Sequence, residues 1–207
     1  MNRNGLLVVL SGPSGSGKGT LIKRVREQYT NIRFSISATT RRPREGEVDG
    51  KNYFFVTNDQ FKSMIENDKL VEWVEYCGNY YGTPREYVEE STSQGFDIVL
   101  EIEVEGALNI IKRYPDCVSV FILPPSFEEL RRRIEGRGTE NPDVIDRRLE
   151  RAKKELEFVN HYDYVVINDN IEEAASEIIN ILSAEKLKFS RNQNILESIG
   201  IKSQEGF

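Results

Sequence analysis

The run Leu6-Leu7-Val8-Val9-Leu10 leads directly into Ser11-Gly12-Pro13-Ser14-Gly15-Ser16-Gly17-Lys18-Gly19-Thr20, and few folds admit that junction. The apolar run is short, branched and bounded by glycine, as in a strand covered on both faces of a parallel sheet. The segment Gly12 to Lys18 fits G-x-x-x-x-G-K, and a helix is predicted from Thr20 to about Tyr29. Between strand and helix, glycines let successive backbone N–H groups turn inward around phosphate oxygens, and the helix N-terminus adds partial positive charge. Lys18 would then bridge the β- and γ-phosphates of a nucleotide.

Three more stretches read as buried strands: Ile98 to Leu100, Val118 to Leu123 and Tyr164 to Ile167. Each precedes a helical pattern, so the expected class is α/β with a parallel sheet flanked by helices. Between residues 37 and 92 the pattern changes to aromatic and Thr-rich segments, with one short helix near Asp59 to Glu66. That region is expected to be an inserted, partly β lobe. A core of residues 1–36 and 93–190, a lid at 136–148 hinged at its glycines, and a polar C-terminal tail at 191–207 complete the expected organisation.

Composition removes several classes of function. The 207 residues contain one histidine, His161, and two cysteines, Cys77 and Cys117, without C-x-x-C spacing. Histidine-based catalysis, a thiolate metal site and a disulfide framework are therefore not suggested. A net charge of −6 disfavours a general nucleic-acid binder. No apolar run approaches the roughly 20 residues that span a bilayer, and the N-terminus lacks a signal-peptide pattern, so a cytoplasmic location away from membranes is expected.

Arginine is unevenly placed. Arg41, Arg42 and Arg44 surround Pro43, while Arg131, Arg132, Arg133, Arg137, Arg147, Arg148 and Arg151 form a second group. Two arginines three apart on a rigid turn can grip a terminal phosphate bidentately, with Tyr53 and Tyr81 adding hydroxyl donors. The other reading of that spacing is a solvated charged loop.

At this point the sequence resembles a known family. Gly19 stands where the general phosphate-loop pattern has Ser or Thr, and the hydroxyl comes one residue later at Thr20; the form G-K-G-T resembles nucleoside monophosphate kinases. With no N-K-x-D base-reading motif, a switch GTPase is disfavoured. The pattern T-T-R-x-x-R-x-x-E-x-x-G-x-x-Y-x-F over Thr39 to Phe55 resembles the guanylate kinase signature. Further matches are Glu72-Trp73, Gly78 to Thr83, Glu101 to Gly106, Pro124-Pro125-Ser126, Glu135 to Glu140 and Ile167-Asn168-Asp169, so the resemblance runs from about Gly5 to Lys188.

The resemblance implies a P-loop NTPase-type core, an inserted GMP-binding lobe, a closing lid, and ATP-dependent conversion of GMP to GDP with Mg²⁺. It implies ATP contacts from Gly12, Pro13, Ser14, Gly15, Ser16, Gly17, Lys18, Gly19, Thr20, Arg133, Arg137 and Asn168. Ser37, Arg41, Arg44, Tyr53 and Tyr81 match positions that hold the GMP phosphate, and Glu72 and Thr83 match those that read guanine. Glu47, Glu101 and Glu103 complete the expected GMP side; many family members carry Asp at the position of Glu103, whose role is a guanine contact or a water-mediated metal contact. Thr20 is the expected metal residue, directly or through water. Lys18, Arg41, Arg44, Arg137 and Arg148 are the expected catalytic set.

Guanine presents N1–H and N2–H₂ together, so one carboxylate can accept from both while a hydroxyl donates to O6. Adenine offers neither pattern. The intact loop sets the chain apart from guanylate-kinase-like scaffold domains that bind peptides; a related kinase with another acceptor is the remaining alternative, and substrate preference decides it. A homodimer is compatible with the sequence, although nothing in the tail's pattern demands one.

Overall fold

The computed structural model describes residues 4–76, 78–136 and 142–193. Strand β1 (Leu7–Ser11) enters the glycine loop, and helix α1 (Lys18–Gln28) leaves it. Three short strands follow: β2 (Ile32–Phe34), β3 (Ala38–Thr39) and β4 (Phe54–Phe55). Next come α2 (Asn58–Glu66), β5 (Leu70–Tyr76), β6 (Asn79–Pro84) and α3 (Arg85–Ser93). The remaining elements alternate: β7 (Asp97–Glu101), α4 (Val104–Arg113), β8 (Val118–Leu123), α5 (Phe127–Glu135), α6 (Pro142–Leu156), β9 (Tyr164–Ile167) and α7 (Ile171–Leu187).

The larger sheet has the order β2-β7-β1-β8-β9, and every pairing in it is parallel. Its central strand shows why the apolar run is continuous. Val8 and Leu10 face the cluster formed with Leu21, Ile22 and Val25 of α1 and Ile178 and Leu182 of α7, while Val9 faces Val88 of α3 and Val104, Ala107 and Ile110 of α4. Both faces are dry, so alternation would bury polar groups without partners.

The smaller sheet has the order β4-β3-β6-β5 and pairs mainly antiparallel. Helix α2 covers it: Phe61, fully buried, stacks on Tyr80 with ring centroids 5.3 Å apart. Thr57 starts this helix by accepting from the Gln60 N–H while the Gln60 side chain accepts from the Thr57 N–H, a reciprocal cap that satisfies two otherwise orphaned donors.

The last helix is latched by a buried charge. Asp97, fully buried at the start of β7, accepts from the Leu6 N–H, the Tyr29 hydroxyl and Lys186 of α7, each at 2.9 Å. One carboxylate thus ties β1, α1, β7 and α7 together. Among the described residues no helix is long and apolar enough to cross a membrane, and no group of three or more His, Cys, Asp or Glu is placed to hold a metal ion. Cys117 is buried and free, its thiol pushed up to about 11 by burial; Cys77, the expected hinge and tip residues 137–141, and most of the expected tail lie outside the described residues.

Candidate active site

The glycine loop earns its shape from two close approaches. Gly12, with φ 144°, lies so near β8 that a Cβ would sit 2.3 Å from the Ile122 carbonyl oxygen. Gly17, with φ 86°, caps α1 in the left-handed region, and a Cβ there would meet the Asn168 amide nitrogen at 2.4 Å. Only glycine accepts both conditions.

Helix α1 has no side-chain cap and no acidic residue in its first turn. Its leading N–H groups therefore lack the usual side-chain acceptor, and their partial positive charge faces the loop, the arrangement that binds phosphate. Lys18 folds back over the loop and donates to the carbonyls of Gly12 and, at 3.2 Å, Pro13. Asn168 donates to the Ser16 carbonyl at 2.8 Å, and Arg133 reaches the same oxygen at 3.4 Å and the Asn168 carbonyl at 3.0 Å. The Asn168 amide is thus a strut beneath the loop. Glu129 aims Arg133, its carboxyl pulled down to about 2 by hydrogen bonds from Arg132 and then Arg133. Arg148 of α6 donates to the Ser14 hydroxyl at 2.5 Å. Gly15 packs against Ile134 and Leu130, while Gly19 and Thr20 are exposed on the first turn of α1.

Beside α1 a cavity of about 370 Å³ brings together Gly19, Ser35, Ser37, Asn52, Tyr53 and Glu101. Glu101 ends β7 in register with Leu10, and burial pushes its carboxyl above the usual range against the opposing pull of Lys18. Tyr53 meets Tyr81 edge-on at 6.2 Å, and the Arg41 guanidinium lies 5.3 Å from the Tyr53 ring centroid.

Arg41 is held, not solvated. It donates to Glu47 at 2.8 Å and to the Arg42 carbonyl at 2.7 Å, and the second Glu47 oxygen accepts from the Arg44 backbone N–H at 2.8 Å. Glu47 therefore organises the arginine turn, and Arg41 first, then the Arg44 N–H, holds its carboxyl below the usual range. The Arg44 side chain is exposed.

Glu72 of β5 accepts from the Thr83 hydroxyl of β6 at 2.8 Å, and Thr83 is fully buried. Burial pushes the Glu72 carboxyl up, opposed by its hydrogen bonds from Thr83. Ser35 extends the chain, its hydroxyl 3.5 Å from that of Thr83. The single Thr83 hydroxyl proton is directed at Glu72, so donation to a base would require the hydroxyl to turn. Glu103 precedes α4 and pairs with Arg151 of α6 at 3.0 Å, and its charge adds to the upward push on the Glu101 carboxyl. Arg151 also donates to the nearly buried Glu155 at 2.8 Å.

Sequence reasoning did not single out Ser35 or Glu129, and it named Arg151 only as one of the second arginine group. A short hydroxyl beside β2 and two members of charged helix faces carry no spacing signal. Arg137, an expected lid residue, lies outside the described residues.

A five-stranded parallel sheet, an uncapped helix behind a glycine loop on its central strand, and a separate arginine turn together define a phosphoryl-transfer enzyme of the P-loop kinase class. The family model described as guanylate kinase matches residues 4–185. A guanylate kinase of Halalkalibacterium halodurans is 56% identical over 187 residues, covering 90% of this chain and 92% of that protein. One from Desulfitobacterium hafniense is 50% identical over 95% of this chain and 98% of its own length. The crystal structure of guanylate kinase from Anaplasma phagocytophilum aligns over 97% of this chain and 98% of that one, with a TM-score of 0.75 and 36% identity. The chain belongs to the guanylate kinase family, whose reaction is ATP-dependent phosphorylation of GMP to GDP.

Proposed function

We propose that this chain transfers the γ-phosphoryl group of ATP directly to GMP, and to dGMP, with the glycine loop as donor site and the smaller sheet with its arginine turn as acceptor lobe over 37–92. The observation that carries the reading is the pairing of two differently built sites. One is an uncapped helix N-terminus behind Gly12 to Gly17, and the other is a buried carboxylate, Glu72, beside the buried Thr83 hydroxyl. A phosphate chain suits the first, and a base edge with two adjacent donors suits the second.

In the transfer, a phosphate oxygen of GMP attacks the γ-phosphorus in line. The bond from that phosphorus to the bridging oxygen breaks, its electron pair stays with ADP, and the new bond makes GDP. The attacking oxygen is already anionic near neutrality, so the residues chiefly position and neutralise charge. Lys18 leaves its loop carbonyls for the β- and γ-phosphate oxygens. Arg41 exchanges Glu47 for the GMP phosphate, joined by Arg44, Ser37, Tyr53 and Tyr81. Arg148, already at the loop, neutralises the moving phosphoryl as the 136–148 segment closes, and closure excludes water that would otherwise accept it.

The reaction requires a divalent cation, and the residues present suit Mg²⁺. The exposed hydroxyl of Thr20 and the carboxylate of Glu101, near the first turn of α1, are oxygen donors of the kind a hard cation takes alongside phosphates and water. Held there, Mg²⁺ would supply neutralisation of the phosphate charge during transfer. The reading also places the enzyme in the cytoplasm, in purine nucleotide metabolism.

The test is ADP formation from ATP and Mg²⁺ with GMP, dGMP, AMP, CMP or UMP supplied singly. Acceleration by GMP and dGMP alone is expected; equal acceleration by AMP, or none by any monophosphate, overturns the reading.

A further inference from the structure

Gly106 sits in the first turn of α4, third residue of the helix, and its backbone is ordinary right-handed helix. A glycine at such a position weakens a helix relative to alanine, since it gains nothing from special dihedrals. Steric need does not explain it either. A Cβ added there would lie 3.6 Å from Glu72 Oε2, 3.8 Å from Ile102 Cδ1 and 3.9 Å from Ile102 Cβ, all ordinary contacts. Alanine would therefore fit the fold, and what it would fill is the space beside one oxygen of Glu72.

The order of groups along this wall is informative. The Thr83 hydroxyl bonds Glu72 Oε1, and Oε2 is the oxygen turned toward Gly106, so the wall runs Thr83, Oε1, Oε2, Gly106. The edge of guanine runs O6, N1–H, N2–H₂. Matched in that order, O6 lies at Thr83, N1–H at Oε1, and the 2-amino group at Oε2, hard against Gly106.

We propose that Gly106 is a specificity-determining position: its missing side chain leaves the slot that admits the purine 2-amino group beside Glu72. The inference rests on the reading of Glu72 as the guanine acceptor. Hypoxanthine, which shares O6 and N1–H but lacks the 2-amino group, is the natural comparison.

The experiment measures kcat/KM for GMP and for IMP, with KM for ATP and the unfolding temperature, in wild type and Gly106→Ala. The variant should unfold at the wild-type temperature or up to about 2 °C higher, because alanine is no worse a helix former than glycine in a first turn. Its kcat/KM for GMP should fall about tenfold, that for IMP should fall at most twofold, and KM for ATP should stay unchanged. Equal losses for GMP and IMP, or no loss for either, would overturn the role of Gly106. Glu72→Gln, measured beside it, separates the two layers. If that variant keeps the wild-type preference for GMP over AMP, the guanine reading itself fails. If it loses that preference while Gly106→Ala leaves the GMP to IMP ratio unchanged, only the slot fails.

Discussion

Replacing Glu72 by Gln tests how a single buried carboxylate divides its effects between stability and recognition. Its pKa is raised in the fold, so the folded chain holds the proton more tightly than the unfolded chain, and stability declines as pH rises from the unfolded value through the folded one. At pH 7 the ionised side chain therefore weakens the fold, and Glu72→Gln should unfold at a higher temperature than wild type in a thermal scan at that pH. The same variant should lose about 10² or more in kcat/KM for GMP, because an amide cannot accept from two adjacent donors. Acid should weaken GMP binding as well. The ionised form does the accepting, so KM for GMP rises as pH falls through a pKa above the ordinary glutamate value of about 4.3. The GMP phosphate titrates too; Glu72→Gln retains that titration, and the difference between the two profiles belongs to Glu72. In the sequence, Glu72 was legible only through its motif context, while Gly106 stood inside a quoted match without any sign that its missing side chain faces Glu72.

Elements differ in how openly the sequence announces them. The helix α2 carries Thr57 and Gln60 at cap spacing ahead of Phe61, and its observed span, Asn58–Glu66, lies within a residue of the expected one. β8 is a long apolar run and occupies the expected residues; β9 also spans the expected residues, but it is an edge strand with Val165 and Ile167 exposed rather than the buried strand expected. The strands β2, β3 and β4, of two or three residues each, are too short for a period to register, and they exist because neighbouring strands complete their hydrogen bonds. α3 was hidden in a stretch that read as part of the aromatic insert; its Val88 packs into the cluster of the larger sheet. The latch on α7 was equally invisible, since Asp97 and Lys186 lie 89 positions apart and meet only through the fold. Asp97→Ala would leave the Leu6 N–H, the Tyr29 hydroxyl and the Lys186 ammonium without their shared acceptor. It should cost about 3 kcal/mol and lower the unfolding temperature by about 6–12 °C, with the ratio of GMP to AMP turnover unchanged. A drop in that ratio instead would place Asp97 in the recognition machinery.

At the scale of the molecule, α6 reaches two places at once. Arg148 touches the donor loop at Ser14, and Arg151 touches Glu103 at the start of α4. The Arg151 to Glu103 pair is exposed and contributes little to stability, within about 1 kcal/mol. Arg148→Ala should lower kcat by about 10² in steady-state assays with no change in unfolding temperature, because its charge matters most as the phosphoryl moves. The glycine loop and the arginine clusters already pointed to phosphate chemistry, but which arginines lie at the loop and which merely pair along a helix face, as Arg132 does with Glu129, required the coordinates.

The account's central claim is that donor and acceptor sites belong to one reaction from which water is excluded. It is tested most directly by supplying ATP labelled in the γ-phosphoryl group, with Mg²⁺, to an equimolar mixture of GMP, AMP, CMP and UMP, and separating the products. The account predicts label in GDP, with no more inorganic phosphate than a Lys18→Ala control releases; label spread over the other diphosphates, or released mainly as inorganic phosphate, would contradict it.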